Sequence, residues 1–152
     1  MTIIENNPFR VLGLISNSSA KETKESETYI LRYLDIGKSA DLKFDITPPL
    51  SQLERTSEIV KNAKRRIHEN FDKLSHSIFW FVNGTVVDKV ALEKLSLEKN
   101  IDKALDSFKK GSKDFTISKR TYSSIINFST LEIISYTSHK DEERVKNAIK
   151  FK

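Results

Sequence analysis

Seven residues set the outer limits on how this chain can be divided. Its 152 positions hold only four glycines and three prolines, at Pro8, Gly13, Gly37, Pro48, Pro49, Gly84 and Gly111. Sheets draw on these two residue types for frequent turns, whereas helices exclude them from their interiors. Long stretches without either, rich in Lys, Glu, Leu and Ile, predict an all-α chain. The length suits one domain, or a small domain with an appendage, burying roughly two thirds of the unfolded surface. With no cysteine there are no disulfides, thiolate metal ligands or thiol nucleophiles, which fits a reducing, cytoplasmic setting. The opening "MTIIENNPFR" lacks the basic-then-apolar order of a signal peptide, and no window approaches the ~18 apolar residues of a membrane span.

Local signals place the helices. Pro8 suits a first helical turn and Gly13 an exit, with Phe9 and Leu12 three apart on one face. After the polar turn "ISNSS", Ser19 and Glu22 have capping-box spacing, so a second helix is expected from about Ala20 to Leu34. Its first half is polar and belongs on the surface, leaving apolar contacts to Tyr29, Ile30, Tyr33 and Leu34. Gly37 ends it. "KSADLKFDITPP" follows as an irregular crossing, because Pro48 and Pro49 forbid helix, and Leu42, Phe44, Ile46 and Leu50 alternate as if tucked against a core. A third helix begins within residues 51 to 57, and Ile59, Ala63, Ile67, Phe71 and Leu74 form its amphipathic stripe. "SIFWF" either continues that helix to Asn83-Gly84 or forms a separate docking helix after a break near His76.

Beyond Gly84 the register restarts. Thr85 with Asp88 resembles an N-cap ahead of Val87, Ala91 and Leu95, and Asn100 caps a helix carrying Ile101, Ala104, Leu105 and Phe108, closed by Gly111. Together these make a helical hairpin. "TYSSIINFSTLEIISYTS" has the Ile, Thr and Tyr content of a strand. Its length without glycine or proline, and the absence of a second strand to pair with, favour helix. "DEERVKNAIKFK" starts acidic and ends basic, as a helix dipole prefers, and its uncapped end predicts that the natural chain continues.

The ordered set "NPFRVLGL", polar turn, "SSAKETKESETYILRYL" and then Val60, Ala63 and Ile67 at their helical steps resembles a J-domain, with Lys73 near the basic residue that follows the third helix of that family. The likeness covers about residues 6 to 75. The family carries a His-Pro-Asp tripeptide after its second helix, which couples to the ATPase of a DnaK-type chaperone. Here that slot falls on Asp35, Ile36 and Gly37, and none of the three histidines is followed by proline. Lys21 and Lys24 are offset by Glu22, Glu25 and Glu27, so the basic second helix is also missing. The resemblance therefore implies the scaffold without the stimulating activity. Downstream, Ala104 and Phe108 stand where the second helix of a tetratricopeptide (TPR) repeat places its alanine and aromatic, and Ala91, Leu92 and Leu95 approximate the first helix. The combination is similar to bacterial J-domain-like proteins that lack His-Pro-Asp and carry aromatics before a helical-repeat region. It implies a bundle over residues 1–84 and a TPR-like hairpin with further helices over residues 85–152.

No residue combination identifies a reaction. P-loop, G-x-S-x-G and glycine-rich phosphate cradles are absent from the sequence. His68 and His76 are eight apart and lack further ligands at matching angles, His139 reads as a turn residue, and Asp41 and Asp45 read as turn-terminating acids. The expectation is no enzyme, no cofactor and no metal. The 26 basic and 21 acidic residues are interleaved, which describes a solvated surface. The basic run near residue 61 concentrates Lys61, Lys64, Arg65 and Arg66, the candidates for contact with an acidic partner or nucleic acid, without aromatic platforms for stacking. Trp80 is the other candidate contact, as an exposed anchor; the preferred reading of Phe79, Trp80 and Phe81 is a joint between bundle and hairpin. The expected function is a non-enzymatic protein–protein interaction module. Its partner would be a protein, either a DnaK-type chaperone or another part of a longer chain, in preference to nucleic acid or a membrane.

Overall fold

The structure, a computed structural model, describes residues 2–139, and they are all helix, turn and loop with no strand. The expected final helix "DEERVKNAIKFK" lies outside the described residues. The chain forms two compact units, Met1–Asp45 with Ser51–Trp80, and Ile46–Leu50 with Phe81–Lys152. The division thus falls between Trp80 and Phe81, four residues before the boundary expected after Gly84.

The first unit holds α1 (Thr2–Glu5), α2 (Pro8–Val11), α3 (Ala20–Asp35), α4 (Ser57–His68) and α5 (Asn70–Ser77). Asn7 caps α2 by accepting from the Phe9 amide at 3.1 Å, and Pro8 occupies the first turn, where no amide is needed. Gly13 takes φ +63°, and a Cβ there would lie 2.7 Å from that of Leu42, so both conformation and space require glycine. The box at α3 forms in both directions. The Ser19 amide donates to Glu22 Oε2 at 2.7 Å, and the Glu22 amide donates to Ser19 Oγ at 3.2 Å. Ser19→Ala is expected to cost about 1 kcal/mol in urea-unfolding free energy, since one exposed cap is lost and no core is disturbed. Along α3, Thr23 and Ile30 are the buried residues, and Tyr29 remains substantially exposed.

The third-helix stripe is corrected on two counts. The helix breaks at Glu69, whose extended φ/ψ of −83°/119° separates α4 from α5, and not near His76. The buried line of α4 is Val60, Ala63 and Ile67, one residue round from Ile59 at its start. Because α5 begins a new direction, Phe71 and Leu74 turn outward and are 81% and 62% exposed. "SIFWF" is also not a helix. After α5 the amides of Phe79 and Trp80 bond back to the carbonyls of His76 and Ser77, a tight turn in place of a helical segment.

In the second unit are α6 (Val86–Ser96), α7 (Ile101–Ser112), a 3₁₀ turn (Lys113–Phe115) and α8 (Tyr122–His139). Thr85 and Asn100 cap α6 and α7, accepting from the Asp88 and Lys103 amides at 3.1 and 2.9 Å. The two helices pack as a hairpin that buries Ala91, Leu92, Leu95, Ala104, Leu105 and Phe108. Gly111, the expected end of α7, does not close it. The helix runs one residue further, and left-handed Lys113, φ +39°, ends it. Gly111 is glycine because α8 comes so near that a Cβ would meet Ser124 Oγ at 2.3 Å. The ambiguous β-branched segment is α8, whose last residue is His139 and not a turn; it buries Ile125, Phe128, Leu131 and Ile134 together with several hydroxyls. All four alternating residues of the crossing segment, Leu42, Phe44, Ile46 and Leu50, are buried.

Candidate interaction surface

The "NPFRVLGL" stretch organises the first unit through its polar atoms. Arg10 is fully buried, and its guanidinium donates to the carbonyls of Glu5 at 2.8 Å, Asp45 at 3.0 and 3.1 Å, and Ser51 at 2.6 Å. Burial pulls its pKa below the ordinary arginine value, against the pull of Asp45, and the neighbouring Arg55 adds to the lowering. Arg55 donates through Nε to the Val11 carbonyl at 2.8 Å and grips both carboxylate oxygens of Asp45. Leu14 offers its carbonyl to the Trp80 indole N–H at 2.7 Å.

That last bond decides one candidate. Trp80 is wholly buried within the first unit, so it is no exposed anchor, and the expectation that it contacts a partner directly is withdrawn. Phe81, also wholly buried, stacks on Phe108 in the second unit with centroids 6.4 Å apart. The four basic candidates on α4 separate. Lys64 pairs with Glu27 of α3 at 2.6 Å, and Arg66 turns to His76. Arg65 donates to Asn62 at 3.0 Å and, with Lys61, Glu58 and Asn62, lines a shallow open depression. Of the four, Lys61 and Arg65 are exposed, and Lys64 and Arg66 are half-buried. Asp35, Ile36 and Gly37 form an open corner at the end of α3. Gly37 takes φ +68°, Ile36 is 65% exposed, and nothing lies within 4 Å of the Gly37 Cβ position.

An outward apolar row on α5 and its C-cap residue Ile78 is not marked in the sequence. Phe71, Leu74 and Ile78 stand at i, i+3 and i+7, and all three are exposed. Their spacing is that of a core face, and no glycine or proline marks the break at Glu69 that turns them outward. The single buried residue of this helix is His76. His68 is exposed on α4, so the two histidines do not converge, and among the described residues no group of three or more His, Cys, Asp or Glu side chains is placed to hold a metal. Among those same residues, no helix is long and apolar enough to cross a membrane.

In the second unit the densest polar cluster is closed. Asp88 is fully buried; its Oδ2 accepts from Thr85 Oγ1 at 2.9 Å, Ser123 Oγ at 2.6 Å and the Gly84 amide at 3.3 Å. Its Oδ1 accepts from Ser124 Oγ at 2.7 Å and Asn127 Nδ2 at 3.3 Å. Every partner is a donor from the chain itself, an arrangement that fastens α6 to α8. Compared with protein-family models, curated proteins and solved structures, the chain matches none of them.

Proposed function

We propose that this chain is a non-enzymatic protein–protein interaction module: a J-like helical frame without the tripeptide that switches a chaperone, followed by a TPR-like hairpin. The observation that carries the reading is the outward apolar row of Phe71 and Leu74 on α5 with Ile78 at its C-cap. Large apolar side chains aligned at helical spacing and left in water are the signature of a surface that a partner helix or groove covers. The partner is a protein, a DnaK-type chaperone or a further part of a longer polypeptide.

Phe71→Asp with Leu74→Asp tests the surface, because both side chains are already solvated and their replacement leaves the core intact. Pull-down with the wild-type chain is expected to recover a partner that the double variant loses at least tenfold; equal recovery would overturn the assignment. The corner occupied by Asp35, Ile36 and Gly37 offers neither histidine nor proline, so adding the chain to a DnaK-type chaperone is expected to leave ATP turnover at its basal rate. A severalfold rise would reject the reading of the missing tripeptide.

A further inference from the structure

Three facts about α5 belong together. It leaves its large apolar residues in water, its sole buried residue is a histidine, and that histidine faces a cation. The Arg66 Nη2 atom lies 2.6 Å from His76 Nε2. Arginine can only donate, so Nε2 must accept and the ring proton sits on Nδ1. That Nδ1 is itself buried and has no hydrogen-bond partner. The backbone of His76 is tied as well, since Asn7 Nδ2 donates to its carbonyl at 3.0 Å.

We propose that α5 is an acid-released element: protonation of His76 sets an imidazolium against the Arg66 guanidinium and detaches residues 70–79 from α4 and α2. Protonation removes the acceptor that Arg66 uses and adds a second cation in contact with it, on a ring that is itself buried. The charged groups acting on the ring are Arg66 from α4 and Asp72 from α5 itself, while Asn7, the N-cap of α2, gives its uncharged amide to the neighbouring carbonyl. Desolvation first, then Arg66, hold the imidazole neutral, with its pKa lowered against the pull of Asp72. A folded pKa below the unfolded one means that the anchor is fully present above about pH 6.5 and is lost as pH falls from there toward the folded value. An element with so little buried apolar surface leans strongly on its polar contacts. Because the same helix carries the apolar row, acid would also dismantle the proposed partner surface; that consequence rests on the proposed function, whereas the release itself does not.

Hydrogen exchange of the full chain at pH 7.5 and 5.5, corrected for intrinsic rates, tests the release without any partner. Amides of residues 70–79 are expected to lose protection by severalfold to tenfold at the lower pH while those of α3 and α7 keep theirs. His76→Gln, which keeps a neutral acceptor for Arg66 and cannot titrate, is expected to hold α5 protection constant. Arg66→Gln, which retains the histidine and removes the opposing cation, is expected to shrink the loss. Unchanged protection of wild-type α5 overturns the proposal, as does an equal loss in His76→Gln or a loss spread evenly over the chain. Should His76→Gln fail to fold, the wild-type chain still decides: the exchange midpoint must coincide with the His76 titration followed by NMR, and a mismatch overturns the proposal.

Discussion

Replacing Asp88 with leucine is expected to cost about 3–5 kcal/mol, the loss that follows when one acceptor serving several buried donors is removed. Leucine keeps the branched outline, but its methyl groups need more room than oxygens held 2.6 and 2.7 Å from Ser123 and Ser124, so part of the cost is steric. Ser123, Ser124 and Thr85 hydroxyls, the Gly84 amide and the Asn127 amide all point at the carboxylate oxygens and would face methyl groups. Asp88→Asn should be milder but not neutral. Asn127 cannot flip to accommodate it, because its Oδ1 takes the Val82 amide at 2.8 Å and its Nδ2 reaches the Val82 carbonyl at 2.7 Å. The introduced NH₂ group must therefore oppose either Asn127 Nδ2 or the Gly84 amide, both pure donors. Urea unfolding followed by circular dichroism measures the ranking wild type, Asp88→Asn, Asp88→Leu. In the Asp88→Leu background, adding Ser123→Ala and Ser124→Ala should recover part of the loss, since stranded hydroxyls go with their missing acceptor. If the leucine variant unfolds within 1 kcal/mol of wild type, the buried cluster carries no stability.

The difference between what could and could not be read beforehand is one of range. Caps are legible because the partners sit three residues apart: Ser19 with Glu22, Thr85 with Asp88, Asn100 with Lys103. The same Asp88 was visible as a cap partner and invisible as the hub joined to Ser123, Ser124 and Asn127, since no local pattern announces a contact 35 residues away. Periodicity found α4 but not its end. Glu69 breaks the helix without a glycine or proline, and a stripe counted straight through it assigned Phe71 and Leu74 to a core they do not enter. Gly111 was read from its residue type as a stop, when what it answers to is the nearness of Ser124. In the candidate site, helical angles grouped Lys61, Lys64 and Arg65, yet partners on other elements decide which charges remain available; Glu27 takes Lys64, and His76 takes Arg66. Trp80 shows the same limit, because three adjacent aromatics favour a buried joint over an exposed anchor without excluding the anchor, and only the Leu14 carbonyl against its indole does that.

Arg10→Met should destabilise the first unit about as strongly, by about 3–5 kcal/mol, and Arg10→Lys should recover little of it. Methionine keeps most of the buried stem and removes only the fork, so the expected loss belongs to the carbonyls of Glu5, Asp45 and Ser51, which would be left inside without donors. A lysine ammonium is a single point; it cannot reach three carbonyls arranged for a planar fork, and burying it unsatisfied carries its own desolvation cost. Asp45→Asn separates the cage from the nearby ion pair. Arg10 uses the Asp45 backbone oxygen, whereas Arg55 grips the side chain, so the asparagine variant weakens the second interaction and leaves the first in place. The sole tryptophan gives the readout, because Trp80 is buried in the same unit with its indole on Leu14, and its emission reports that unit directly. The urea midpoint seen by Trp80 fluorescence should fall most for Arg10→Met, nearly as far for Arg10→Lys and least for Asp45→Asn. Were lysine to restore the wild-type midpoint, charge alone would suffice at this position, and the forked geometry that distinguishes Arg10 would have no part in closing the chain between Asp45 and Ser51.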